Sequence, residues 1–300
     1  MDKIQIKIIS GFIIVFLLIV IFYLIYMRGE DEIESFTSKE EIKKGEVYDK
    51  FYSKIYDQLF YSSYKNEFEI NDLISKYLKN KDKTSLKILD VGCGTGKHIS
   101  ILNELGYKPI GLDLSNDMLI EAKKINKNTR FIKGSGEDTE LFSGNRFDVI
   151  LCYYFTIYYF EDYLKFIKNV SYWLKRGGIL AVHVVNKDKF DPILEPASPF
   201  PAFSLQKYSK KRIMKSTVVF NNFEYTAEFK LSKSGKAKFK EKFYFQKKNK
   251  MRKQEHIFNM FKIGKFINDV KEKYKLKLIG KTDLISVSYE YQYILYFKKG

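Results

Sequence analysis

Residues that build covalent or metal frameworks are scarce: the 300 residues include two cysteines, three histidines and one tryptophan. Two cysteines cannot form a disulfide scaffold, and neither their number nor their spacing fits a zinc site. His98, His183 and His256 lie too far apart in sequence to suggest a histidine-rich centre, so no metal is expected. Four of the five prolines fall between 192 and 201, marking one loop through which no helix can continue. Acidic side chains run short at one end only. Residues 1–200 hold 28 basic and 28 acidic groups, whereas residues 201–300 hold 25 and 8 and so carry the whole net charge of +17. An apolar fraction of 45% excludes wholesale disorder. Lysine mixed with 23 tyrosines and 26 phenylalanines suits nucleic acid, an anionic membrane surface or a biased genome.

Ile8 to Met27 is a run of 20 residues without a formal charge. At 1.5 Å per residue it spans roughly 30 Å, the depth of a hydrocarbon core. Lys7 and Arg28 close it, and Tyr23 and Tyr26 suit one interface. A signal peptide would have a shorter apolar stretch and a small-residue cleavage site, where Leu24-Ile25-Tyr26-Met27-Arg28 stands. Residues 1–28 therefore read as an uncleaved membrane anchor. Residues 29–47, polar and without apolar period, read as a juxtamembrane linker.

From Tyr48 the spacing of Tyr48, Tyr52, Ile55, Tyr56, Leu59 and Phe60 predicts a helix, with a second near 66–79. A strand over 85–91 then runs into Gly92-Cys93-Gly94-Thr95-Gly96, with a helix from Lys97. Glycines there let backbone approach a ligand, and the helix start offers free N–H groups. The next strand ends in Asp113, 23 residues after Asp90, where an acid can accept hydrogen bonds from ribose hydroxyls. The turn lacks the Gly-Lys-Ser/Thr ending of a phosphate loop, which disfavours nucleoside triphosphate hydrolysis. On spacing alone this is an adenosine-cofactor domain.

Leu89-Asp90-Val91-Gly92-Cys93-Gly94-Thr95-Gly96 resembles the first motif of the class I S-adenosylmethionine-dependent methyltransferases, and Gly111-Leu112-Asp113-Leu114-Ser115 the second. Phe147-Asp148-Val149-Ile150 is similar to their fourth strand, and Leu174 to Leu180 to the turn into the fifth. The resemblance covers residues 85–185. It implies an α/β fold, a Rossmann-like seven-stranded sheet, with S-adenosyl-L-methionine as cofactor. Asp90, Gly92 and Gly94 would line its amino-acid half, Asp113 would hold the ribose, and Leu114 and Met118 would flank the adenine. Glu137 or Asp138 stands where relatives carry a glycine-aspartate pair facing the adenine amino group. Tyr48 or Tyr56 would close over the methionine carboxylate.

The acceptor belongs at the carboxyl ends of the strands. Tyr153 and Tyr154 after the fourth strand, and His183 at the end of the fifth, are candidates there. Residues 186–256 read as an inserted cover of antiparallel strands (215–220, 223–231 and 237–246), with His256 entering the acceptor site from that side. A helix over 258–270 and two strands, 276–280 and 289–297, complete the sheet as an antiparallel edge hairpin. No pair of residues stands out as a general base, which favours a nitrogen over an oxygen acceptor. The expectation is a methyltransferase domain over 48–300, cytosolic and anchored by a single membrane pass. Its partners would be the bilayer and a small-molecule or lipid-like acceptor. The alternatives are a nucleic-acid or protein methyltransferase using the basic third, disfavoured because no compact recognition motif accompanies it, and a non-catalytic cofactor-binding scaffold.

Overall fold

The computed structural model describes residues 16–17, 39–42, 46–197, 206 and 209–300. The apolar run over 8–27 lies outside the described residues except for Phe16 and Leu17, and no helix among the described residues is long and apolar enough to cross a membrane.

After the edge strand β1 (Lys39–Glu41) come two helices, α1 (Lys50–Phe60) and α2 (Ser63–Leu73). Asp49 caps α1 by accepting from Tyr52 N, and Ser62 caps α2. The alternating unit follows: β2 (Ile88–Val91), α3 (Lys97–Glu104), β3 (Ile110–Asp113), α4 (Asn116–Ile125), β4 (Arg130–Lys133) and β5 (Phe147–Cys152). A short helix α5 (Thr156–Tyr159) and α6 (Tyr163–Trp173) lead into β6 (Leu174–Val185). Four cover strands are β7 (Lys215–Val219), β8 (Glu224–Leu231), β9 (Lys236–Phe245) and β10 (Lys250–Asn259). Then α7 (Ile263–Tyr274), β11 (Leu276–Asp283) and β12 (Gln292–Lys299) close the chain.

The main sheet has seven strands in the order β11-β12-β6-β5-β2-β3-β4. All neighbours are parallel from β6 to β4, and β12 runs antiparallel to both β6 and β11. Strand order reverses between β2 and β5, and ligands bind in such sheets at the carboxyl side of that reversal. Alternation along the strands sorts the core into two layers. Leu89, Val91, Ile150 and Cys152 face the layer containing α1 and α6, while Ile88, Val149 and Leu151 face α2 and Leu102 of α3.

The cover forms a second sheet, β1-β10-β9-β8-β7. Its inner face, with Phe223, Phe229, Phe239, Phe243 and Phe245, joins the first core layer. Its outer face carries Lys236, Lys238 and Lys240 into solvent. Two expectations are revised here. The stretch read as a linker contributes β1, parallel to β10, and the cover extends through a fourth strand to Asn259. The inward residues of β10 are Arg252, Gln254, His256 and Phe258, too polar to show an apolar period.

α1 lies between the two sheets and is held from both sides. Arg252, fully buried, donates from Nη1 to Asp49 Oδ2 at 2.7 Å and lies over the Phe51 ring. From the other side, Ser115 Oγ donates to the Tyr48 carbonyl at 2.5 Å. The chain at Tyr48–Asp49 is thus clamped between the tip of β3 and the cover.

Candidate functional site

One cavity of about 630 Å³ opens at the carboxyl ends of β2, β3 and β5. Its floor is the glycine turn. Gly92, Gly94 and Gly96 all have positive φ (71°, 54° and 78°), which an L-side chain adopts only with strain. A Cβ on Gly92 would fall 2.4 Å from the Thr156 side chain, so glycine is required there by packing as well. A Cβ on Gly94 would meet nothing within 4 Å, leaving the backbone open to a ligand. α3 starts with no side-chain cap, and its first turn also faces the cavity.

Asp113, at the end of β3, accepts from Gly94 N (2.8 Å) on one oxygen and from Ser115 N (2.9 Å) on the other. Burial raises its carboxyl above the ordinary value, against those hydrogen bonds. Asp90 is 2% exposed and its Oδ2 has no partner, although the residue lines the cavity. Burial pushes its carboxyl up to about 6 from an ordinary 3.8. An orphaned buried carboxylate oxygen is costly unless a cation or donor meets it. Leu114, 66% exposed, and Met118, buried, flank the same rim. Asp57, Asp90, Asp113, Asp117 and Glu137 face only two lysines, Lys97 and Lys133, so the cavity is acidic within a strongly basic chain.

The structure distinguishes among the site candidates. Tyr56, Asp90, Gly92, Gly94, Asp113, Leu114, Met118, Glu137, Tyr153 and His256 all line this cavity. Asp138 does not. It is exposed and turned to the Glu140 N–H, so Glu137 is the acid of that pair on the wall. Burial raises the Glu137 carboxyl. His183 is also absent from the wall, because its β6 position points, like Ile179 and Ala181, to the face of the sheet covered by α2. There it is 1% exposed, with Nδ1 2.5 Å from the Tyr154 carbonyl and Nε2 3.0 Å from Gln292 Oε1. Burial lowers it to about 4, so it is a neutral structural histidine. Tyr153 reaches the wall against the His98 ring but packs into the second core layer. Its burial drives the hydroxyl far above the tyrosine range, which removes it as a base.

Where the sequence offered no paired groups, the fold brings His256 into a hydrogen-bonded line. His256 Nε2 lies 2.6 Å from Glu241 Oε2, and Nδ1 lies 2.6 Å from Tyr159 Oη. Tyr159 Oη is in turn 2.6 Å from Tyr48 Oη. Tyr48, Tyr159 and His256 line the cavity, whereas Glu241 is fully buried behind them. Burial acts to raise Glu241, but His256 and the hydrogen bonds of Tyr225 and Gln254 hold it below the ordinary carboxylate value. Glu241 had a signal in the sequence. It occupies an inward position of Ala237-x-Phe239-x-Glu241-x-Phe243-x-Phe245, the single acid on an otherwise apolar strand face.

A second buried group flanks the glycine turn. Glu69 is held by Lys65 Nζ at 2.6 Å and lies 2.8 Å from His98 Nε2. Despite complete burial, these partners hold Glu69 down at about 2. Among the described residues no three metal-ligating side chains converge.

Residues 89–182 match a family model described as a methyltransferase domain. The chain is 30% identical over 148 residues to an uncharacterized protein of Methanocaldococcus jannaschii, covering 49% of this chain and 54% of that protein. It is 26% identical over 141 residues to the dTDP-3-amino-3,4,6-trideoxy-alpha-D-glucopyranose N,N-dimethyltransferase of Streptomyces venezuelae, covering 45% and 58%. A ubiquinone biosynthesis O-methyltransferase of Rickettsia bellii is 28% identical over 129 residues, covering 41% and 52%. The chain thus spans about half the length of the curated relatives it matches. Among solved structures, an S-adenosylmethionine-dependent methyltransferase from Clostridium acetobutylicum superposes with a TM-score of 0.62 at 19% identity, covering 83% of this chain and 98% of that one. A sugar N-methyltransferase from Streptoalloteichus gives 0.59 at 17% identity, covering 89% and 98%. At these identities the structural likeness is one of fold.

Proposed function

We propose that this chain, which carries a class I S-adenosylmethionine-dependent methyltransferase domain, transfers a methyl group to a small-molecule acceptor that resides in or beside a membrane. One observation carries the reading: the unpartnered buried oxygen of Asp90 opens onto the same cavity as Asp113 and the bare Gly94 backbone.

Those residues fit the cofactor's chemistry. Asp90 would meet the ammonium of the methionine part, and Gly92 and Gly94 would let backbone lie against it. Asp113 has carboxylate lone pairs left for ribose hydroxyls, Leu114 and Met118 offer apolar faces to a base, and Glu137 supplies an acceptor for its amino group. When bound, the cofactor supplies a methyl group on a positively charged sulfur. The acidic wall favours such a cation over a neutral competitor. Phe60, Phe155 and Phe160 on the cavity wall offer an apolar seat for the acceptor. In-line alignment of nucleophile and methyl is the main requirement that the protein must meet.

Support for the membrane context comes from the sequence: the charge-free run of 20 residues and the excess of lysine in the last third. The cofactor is made in the cytosol, which favours a cytosolic catalytic domain. The relatives named as acting on an amino sugar and in ubiquinone biosynthesis favour a small acceptor.

The test uses labelled S-adenosylmethionine, fractionated membranes and full-length protein beside a chain without residues 1–28. Label in the organic phase that disappears with the anchor is expected. Label in soluble metabolites alone would separate the activity from the membrane, and label in RNA or protein would overturn the acceptor class.

A further inference from the structure

Four polar side chains on the acceptor side of the cavity form a single hydrogen-bonded line with a fixed direction. Glu241 is saturated: it accepts from Tyr52 (2.9 and 2.8 Å), Tyr225 (2.6 Å), Gln254 (2.6 Å) and His256 (2.6 Å). A carboxylate can only accept, so Nε2 of His256 carries a hydrogen, and in the neutral form of the ring Nδ1 is then a bare lone pair. In that form Tyr159 donates to Nδ1 and Tyr48 donates to Tyr159. The free end of the line is the Tyr48 oxygen, which is left to accept from whatever stands in the cavity.

We propose that this line is the proton-accepting device of the site and that its acceptor is a hydroxyl group carried on an apolar body. The inference rests on the methyl-transfer reading above and deepens it. A neutral hydroxyl is a weak nucleophile and must shed its proton as it attacks, whereas a neutral amine can attack first and lose its proton afterwards. In the transfer the oxygen–methyl bond forms as the methyl–sulfur bond breaks, with that electron pair staying on sulfur. The hydroxyl proton passes to the Tyr48 oxygen, the Tyr48 proton to Tyr159, and the Tyr159 proton to Nδ1. The charge ends as an imidazolium against the Glu241 carboxylate, and the proton is released to solvent once the product has left.

The tyrosines relay a proton without keeping it. Burial, and for Tyr48 the neighbouring Tyr159, drives both hydroxyls far above their ordinary range. Glu241 is a positioning residue: it fixes the tautomer and stabilises the imidazolium. The titratable groups facing His256 are Glu241 on β9, Tyr48 and Tyr52 at α1, and Tyr159 on α5; Tyr225 on β8 reaches the same Glu241, and Arg252 on its own strand is paired with Asp49.

The test uses full-length protein with nitrogen-labelled histidine, and Tyr159→Phe, which keeps the packed ring and removes only the hydroxyl. His256→Gln assigns the signal. The expected spectrum shows the Nε2–H tautomer, which gains a proton on acidification and loses its Nδ1 hydrogen bond in Tyr159→Phe. A ring protonated on Nδ1, or one indifferent to Tyr159→Phe, overturns the relay. Catechol and butylamine then serve as probe acceptors. Catechol turnover should fall about 100-fold in kcat in Tyr159→Phe and in His256→Gln, with KM and cofactor affinity unchanged and the acid limb of the pH profile lost in His256→Gln. Turnover of butylamine without catechol overturns the hydroxyl assignment. Calorimetry with S-adenosylmethionine separates the two failures, because a folded wild-type chain that binds no cofactor refutes the underlying reading and not the relay alone.

Discussion

Asp90 carries opposing demands in one side chain. Its folded-state value near 6 exceeds the ordinary 3.8 because burial disfavours the charge, with His98 pulling the other way. The raised value means that its contribution to stability is full below about pH 4 and is lost as pH climbs through 6, a swing of about 3 kcal/mol at 1.36 kcal/mol per unit. Asp90→Asn is therefore expected to stabilise the cofactor-free protein at pH 7.5 by about 1–3 kcal/mol while weakening cofactor binding, read by thermal unfolding and calorimetry on one preparation. A destabilised variant that still binds would refute this account of the orphaned oxygen. Gly92→Ala makes a complementary test. The new Cβ meets Thr156 at 2.4 Å on a backbone at φ 71°, so cofactor affinity should fall at least tenfold in calorimetry and Tm should drop. An unaltered affinity would mean that the turn does not touch the cofactor.

At the scale of elements, the cover and α1 act as one wall, and Asp49 joins them. It caps α1 and is the carboxylate partner of the buried Arg252. Asp49→Ala should cost about 2–4 kcal/mol in denaturant unfolding, the sum of a lost cap and a buried guanidinium without its counter-charge. A loss below 1 kcal/mol would show that Gln254 and the Val47 carbonyl suffice for Arg252. These contacts also explain which elements were legible beforehand. The strand–glycine turn–helix at Gly92–Gly96 and the acid at Asp113 rest on local backbone needs, so they can be read from sequence. β10 could not be read, since its inward residues Arg252, Gln254 and His256 are polar and find their partners across the fold, Asp49 and Tyr159 far off in sequence and Glu241 on the neighbouring strand. β1 is three residues at an edge, paired with β10 alone. His183 illustrates a different limit. Strand alternation places it opposite Val182 and Val184, yet parity cannot say which face of β6 looks into the cavity. Pairs such as Glu241 with His256 arise from a hairpin register, and alternation identifies only their inward positions.

Across the whole molecule the charges separate: an acidic cavity is set within a chain of net charge +17, with lysines on the outer face of the cover. Lys236, Lys238, Lys240 and Lys242 alternate along β9 with the inward aromatics. Lys238 and Lys240 share Glu255, so part of this charge is already compensated. If the outer face rests on headgroups, replacing the four lysines with glutamine should weaken binding to anionic vesicles about 100-fold at low salt, with cofactor affinity unchanged. Undiminished vesicle binding would assign the basic excess to composition. The central claim, that the glycine-turn cavity holds S-adenosylmethionine, is tested most directly by calorimetric titration of wild-type and Asp113→Ala protein with that cofactor. The account predicts one site per chain in the wild type and at least a 100-fold loss in the folded variant. Equal affinity in the two, or no binding by the wild type, would contradict it.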